Sequence, residues 1–358
     1  MTRLSRLTAL IALMGLLMGI AVLSTHEPVS AEAVVALYAQ TNAGSLSGVD
    51  IYFAETNAEP SRYDRGSNGL STFGALVHQM GASLHTLDWR TPFPADMDLL
   101  IVPNPGTDYT ADAISRLWAY MNAGGRVLLA VNPSADIIPG RERGTLAGNN
   151  VLWALMNADF GVAALDNVLV DPAENSDGVF IPHARFTATQ LAPAHPITAS
   201  ISGGLDFRMA RSLTYDLPLV GGTVTPLVFA PQGYYGEATY AQSVTNNFFN
   251  FDIGPDTAPG VLAIAAAYQN DETGSRVVLV GDRDILINGF GFAVSPVGSL
   301  GFVFPNDVQF VLQSIAWLTD TAAPTMAFPT PAATATVTIT PSPIPPTATP
   351  TVAPTTGS

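Results

Sequence analysis

The feature that most constrains this chain is a set of short runs that are apolar at every residue rather than at alternate ones. They occur at 99–102 (LLIV), 127–131 (VLLAV) and 277–280 (VVLV). A strand apolar on both faces belongs inside a sheet that is covered on both sides, which is how parallel sheets are built. The segments between the runs supply the covering helices. Phe73, Leu76, Val77 and Met80 recur at i, i+3, i+4 and i+7, and Ile114, Leu117, Trp118 and Met121 repeat the same spacing. Ser71 and Thr110 are placed to cap these helices, and Gly81 and the pair Gly124 and Gly125 to end them. With further strands at 49–53 and 83–87, residues 49–131 alternate strand and helix. The expectation is an α/β fold built on a mainly parallel, doubly wound sheet.

Beyond residue 133 the texture loosens. A polar loop at 141–148 precedes a helix at 151–160 that Gly161 terminates. Residues from about 166 to 260 are rich in Pro, Gly, Thr and aromatics, with short β-like runs at 179–181, 211–215 and 225–229. They read as an irregular, β-rich excursion. Order returns with a hairpin in which the strand 261–268 and the apolar run 277–280, led in by Arg276, flank a polar turn at 270–275. A last helix starts at Asn306, just after Pro305, and turns Val308, Val311, Leu312, Ile315 and Leu318 inward before ending near Thr319.

The two ends differ from this middle. Residues 1–33 have the order of a secretory signal: Arg3 and Arg6, an apolar run at 10–23, then a polar stretch ending in Val29, Ser30 and Ala31, with a second cleavage position after Ala33. The alternative is an uncleaved anchor, because the apolar stretch 7–25 is almost long enough to span a bilayer. Residues 34–48 are expected to be a linker and 49–320 the folded domain. From 321 to 358 there is no charged residue, and the composition collapses to Pro, Thr, Ala, Ser and Val. Such a segment buries too little to offset its ordering entropy and is expected to be a disordered, extended tail. The chain is therefore expected to be extracytoplasmic, either secreted or held at the cell surface.

Charge and cysteine content exclude several function classes. The chain has 14 basic side chains, all arginine, against 29 acidic ones, for a net charge of -15. Such a surface repels nucleic acid, which is excluded as a partner, and anionic lipid, so a membrane would be reached only through the uncleaved anchor. With no cysteine, disulfides, thiolate metal sites and cysteine nucleophiles are all absent.

In a doubly wound sheet the loops leaving the carboxyl ends of the strands converge on one edge, where ligands bind. Those loops carry Asn68 after the first strand, Asn104 after the third, Asn132 and Ser134 after the fourth, and Asp282, Asp284 and Asn288 after the last. Asn68, Asn104, Asn132, Asp282, Asp284 and Asn288 are the ligand-binding candidates, although turns and caps use the same residue types. Asp282 and Asp284 would suit a hard cation, but two carboxylates separated by Arg283 are few for a metal site. Capping of backbone amides or pairing with an arginine accounts for them more simply, and neither metal nor cofactor is expected. Ser134 with His183 or His195 would be the material for a serine hydrolase, yet the Gly-x-Ser-x-Gly elbow is missing and no catalytic residue is assigned. Tyr234, Tyr235, Tyr240, Phe248, Phe249 and Phe251 form an aromatic group that suits either sugar stacking or the core of the β-rich region, the core being favoured.

The runs at 63–89 (YDRGSNGLSTFGALVHQMGASLHTLDW) and 94–133 (PADMDLLIVPNPGTDYTADAISRLWAYMNAGGRVLLAVNP) resemble uncharacterised bacterial extracytoplasmic domains of unknown function with a class I glutamine-amidotransferase-like fold. Residues 195–207 (HPITASISGGLDF), the strand GSRVVLVGDRDILIN and a helix ending in AWL are similar to GldG-type auxiliary components of ABC transport systems. The resemblance covers roughly 49–319. It implies a flavodoxin- or amidotransferase-like sheet and, since amidotransferases of this fold use a cysteine nucleophile, a non-catalytic descendant. The resulting expectation is an exported ligand-binding or protein-interaction module with envelope or transporter proteins as partners. The alternative is an extracellular hydrolase acting on a carbohydrate or ester.

Overall fold

A computed structural model of the chain describes residues 30–134, 149–171, 184–246, 248–295 and 301–324. The apolar run of the signal, the loop at 141–148, the strand at 179–181, His183 and the tail from 325 lie outside the described residues.

Five parallel strands form one side of the main sheet. β1 (Asp50–Ala54), β2 (Ser83–Leu87), β3 (Leu99–Pro103), β4 (Arg126–Ala130) and β14 (Ser275–Val280) lie in the order β2-β1-β3-β4-β14. β3 is buried at every residue, as its apolar run requires, whereas β2, at the sheet edge, is mostly open. Helix α1 (Ala31–Thr41), α2 (Ser71–Gln79) and α6 (Pro305–Thr319) cover one face, and α3 (Ala111–Asn122) and α4 (Asn150–Phe160) the other. Thr110 caps α3 by accepting from the Ala113 amide, Gly161 closes α4 at φ 69°, and Pro305 opens α6. The α/β class and the mainly parallel doubly wound sheet are as the sequence implies.

Two expectations are corrected. Residues 34–48 are not a plain linker. Ser30 caps α1, whose Val34, Val35, Tyr38 and Ala39 are buried in the core, and the Tyr38 ring lies 4.9 Å from that of Phe302. Ser71 is not the cap of α2 but its first residue. The cap position is Leu70, which offers no side-chain acceptor, and Asn288 supplies one from 216 residues away.

The β-rich region is less of an excursion than its composition suggests. β13 (Ala263–Asn270) pairs antiparallel with β14 as the expected hairpin. β10 (Leu213–Tyr215) and β11 (Thr223–Phe229) then both pair with β13, and β5 (Val162–Ala164) pairs with β10, so the main sheet continues into this region. What remains apart is two small sheets, β7 (Arg185–Ala188) with β9 (Leu205–Arg208), and β6 (Val168–Val170) with β12 (Tyr235–Glu237). Tyr235, Phe249 and Tyr240, the first residue of α5 (Tyr240–Asn246), are buried against Val168, Val170 and Met209, which makes most of the aromatic group a local core, while Phe248 is exposed.

Candidate functional site

The carboxyl edge of the parallel strands does bring most of the candidate residues together, and it points them inward. At the end of β3 the chain turns through Asn104 in the left-handed region, φ 48°, and the Asn104 side-chain oxygen accepts the backbone N–H of Asn132. Asn132, at the end of β4, accepts from the Arg283 amide at 2.6 Å and donates to Asp284 at 3.2 Å. Beyond β14, Gly281 lies so close to its neighbours that an added Cβ would stand 2.1 Å from the Arg211 carbonyl. Asp282 then caps a 3-10 turn (Arg283–Leu286), accepting from the Asp284 amide at 2.7 Å and from the Arg208 amide at 2.7 Å. The turn folds Asp284 back under the same edge, where it pairs with Arg208 through Nε at 2.9 Å and with Arg283 at 3.0 Å.

Asp282 and Asp284 are 0% exposed, and Asn104 and Asn132 nearly so, so that these four side chains hold loops together and offer no surface to a ligand. Burial, reinforced by the Asp284 charge, raises the Asp282 carboxyl above the usual carboxylate range. Asp307, in the first turn of α6, continues the polar layer. One oxygen accepts the Asp206 amide at 2.9 Å, the other is buried with no hydrogen-bond partner among the described residues, and burial raises its proton affinity strongly. Asn288 is placed differently. It accepts from the Thr72 amide at 2.9 Å and donates to the carbonyls of Asp64 and Gly66, so it ties the loop after β1 to the loop after β14. Asn68 sits exposed on that same loop.

Arg208 and Arg211 were missed by sequence reading. They come from the β-rich region, more than seventy residues before the acids at this edge, with no local spacing to mark them. Arg211 is 1% exposed, donates to the Ala164 and Asn132 carbonyls and stands 3.7 Å from Asp166. Glu59, in the loop after β1, was missed because its partners lie 30 and 50 residues further along the chain. It is buried, accepts from Trp89 Nε1 and the Tyr109 hydroxyl, both at 2.9 Å, and its charge adds to burial in raising the Tyr109 pKa.

Of the residues considered for hydrolysis, Ser134 and His195, the two that are described, are not brought together. The Ser134 hydroxyl donates to Asp166 at 2.9 Å and is buried. His195 is far from it, its ring tilted against that of Trp317 with centroids 5.1 Å apart near the opposite edge of the sheet, and burial lowers its pKa to about 4. Among the described residues no group of three His, Asp or Glu side chains is placed to hold a metal, and no helix is long and apolar enough to cross a membrane.

Strand order reverses between β1 and β3, the point at which open α/β sheets form a ligand crevice. Here Asn57 and Thr107 bridge the two loops, side chain to carbonyl at 2.6 Å and hydroxyl to side chain at 2.5 Å, and close that crevice. Beside it lies a cleft of about 280 Å³ lined by Thr56, Trp89, Arg90, Tyr109, Thr110 and Arg116. A second groove, of about 340 Å³, runs between α1 and α2 past Glu32, Val35, Arg65, Thr72, Asn288 and Phe292.

Among solved structures, the N-terminal domain of mmIFT52 is similar over 75% of this chain and 97% of that one, at 13% identity and TM-score 0.49. A putative ThuA-like protein from Bacteroides uniformis ATCC 8492 is similar over 76% of this chain and 91% of its own, at 13% identity and TM-score 0.40. No curated protein matches the sequence. The family described as ABC-type uncharacterized transport system matches residues 48–313. That match spans the sheet from β1 into α6, and the chain belongs to this family of ABC transport-associated proteins.

Proposed function

We propose that the chain is a non-catalytic, exported interaction component of an ABC-type transport system. The observation that carries this reading is the state of the carboxyl edge. Asn104, Asn132, Asp282 and Asp284 occupy the positions at which this architecture usually places ligand and catalytic groups, and all four are buried and bonded to protein. The edge is a platform for another surface, with residues 63–68, Asn68 among them, exposed on its rim. The expected partners are envelope or transporter proteins, the membrane-embedded permease first among them, with the ATPase on the far side of the membrane joined only through it. A purified domain should co-elute with those subunits, and it should show no turnover on a panel of ester and glycoside substrates. Turnover that disappears in Ser134→Ala would overturn the reading in favour of an extracellular hydrolase.

Binding of a small ligand is favoured by one feature, the cleft beside the strand reversal, where Trp89, Arg90, Tyr109 and Arg116 combine aromatic surface with hydrogen-bond donors. A thermal-shift screen with small carboxylates and sugars tests it, since a ligand that binds the folded state raises the midpoint. An unchanged midpoint across the screen, together with co-elution, would assign the protein to interaction alone.

A further inference from the structure

Helix α4 is apolar on the side that faces the core and also on the side that faces solvent. Leu152, Trp153, Met156 and Phe160 are buried against the sheet. The outer positions at the i, i+3, i+4 and i+7 spacing of one helical face are Val151, Ala154, Leu155 and Ala158, and all four are exposed. Asn157 and Asp159 do not interrupt this stripe, since Asn157 accepts from the Thr214 hydroxyl and Asp159 from Trp118 Nε1 at 2.6 Å. A helix that is apolar all round belongs in a place where both sides are covered.

The loop after β10 widens the stripe. The Leu219 amide donates to the Ala158 carbonyl at 3.4 Å and the Val220 amide to the Asp159 carbonyl at 3.1 Å, which lays this loop along the last turn of α4. Leu217 and Leu219 are 92% and 79% exposed. Single exposed leucines are ordinary, but Val151, Leu155, Leu217, Leu219 and Val220 joined on one surface mark a contact face.

The stripe is complementary to itself. Laid antiparallel on a copy, about a two-fold axis passing between positions 154 and 155, it sets Val151 against Ala158 and Leu155 against Ala154. Each level then meets a large side chain with a small one, as closely packed helices require. The ends of the helix match too. Asp216 is exposed at the carboxyl end of α4, where its amide donates to the Gly161 carbonyl at 2.6 Å, and the two-fold axis would bring it to the amino end of the facing helix. That end has no side-chain cap and no acid in its first turn, and Asp108 takes only the Asn149 amide, at 2.7 Å. A carboxylate beside it is favoured by the helix dipole. This match of charge, made twice by the symmetry, selects a second copy as the occupant.

We propose that α4 and the loop after β10 form a face through which two copies of this chain associate about a two-fold axis, with α4 packed antiparallel on α4. The face uses none of the residues at the carboxyl edge, so it stands or fails independently of the transport reading.

Chain purified from the expressing cells is weighed by light scattering over a concentration series. A monomer–dimer equilibrium is the expected result. Leu155→Arg and Leu217→Arg, at exposed positions, should each raise the dimer dissociation constant at least about tenfold while leaving the circular dichroism spectrum unchanged. Asp216→Asn should weaken the dimer severalfold at low salt and little at high salt. Because the chain has no cysteine, Ala154→Cys treated with a short bismaleimide should yield a covalent dimer, whereas Gln79→Cys, exposed on α2 across the sheet, should not. A parent that stays monomeric throughout, a dimer undiminished by both arginine variants, or equal crosslinking at 154 and 79 would overturn the proposal. A monomeric parent whose co-elution with the permease is lost in Leu155→Arg would overturn it in favour of a transporter subunit on this face.

Discussion

Replacing Asp284 by alanine distinguishes a scaffold acid from a ligand-binding acid. The Asp284 side chain is 0% exposed and carries two ion pairs, to Arg208 at 20% and Arg283 at 5% exposure, and it also accepts from Asn132. Removing one partner of a buried pair leaves the other charge uncompensated and costs about 3–5 kcal/mol, and here two guanidinium groups lose their acid. Asp284→Asn keeps an acceptor while losing the charge, so its cost should be smaller, about 2–3 kcal/mol. At roughly 2–4 °C per kcal/mol for a domain of this size, the alanine variant should melt on the order of 6–20 °C lower. Denaturation followed by tryptophan fluorescence and circular dichroism reads both variants. If Asp284→Ala were as stable as the parent, or more so, the acid would not be holding the edge together, and a role held in reserve for a ligand would be the better account.

Asp307→Asn tests the pH dependence. Burial raises the folded-state pKa of Asp307, so the folded chain binds that proton more tightly than the unfolded one. Stability is then fully present below the unfolded value and falls as pH rises from about 4 toward the raised folded value, by up to about 1.4 kcal/mol per pH unit for one such group. The asparagine variant should flatten this slope in urea titrations between pH 4 and 8, and an unchanged slope would contradict the assignment. Tyr38→Ala should cost about 2–4 kcal/mol in chemical denaturation because Tyr38 is a core residue, whereas a residue in a true linker would stay within about 0.5 kcal/mol. Gly281→Ala drives a methyl group into the Arg211 carbonyl and should destabilise by at least about 1–3 kcal/mol in the same assay.

The parallel half of the fold was legible because its signals are local. A run such as LLIV at 99–102 has to be buried on both faces wherever it lies, and Thr110 and Gly161 mark helix ends by their own chemistry. α1 was read as a linker because AEAVVALYAQT is weakly amphipathic and abuts the polar end of the signal, and only the groove beside α2 shows which face it buries. The sheet's antiparallel extension through β10 and β11 depends on pairing with β13 across the chain, which no run at 211–215 or 225–229 encodes by itself. The carboxyl edge gathers Asn104, Asn132, Asp282 and Asp284 and turns their side chains inward. Asp282 and Asp284 read as loop residues at a strand end, and the 3-10 turn folds both inward, onto arginines whose positions in sequence give no hint of the contact.

The central claim is that this edge is a non-catalytic platform within a transport assembly. Its most direct test is association of the purified protein with the permease and ATPase subunits, followed by light scattering on the eluted complex, with the same sample assayed on the ester and glycoside panel. A stoichiometric complex without turnover is the result this account predicts. No complex, together with turnover that Ser134→Ala abolishes in a variant that remains folded, would contradict it.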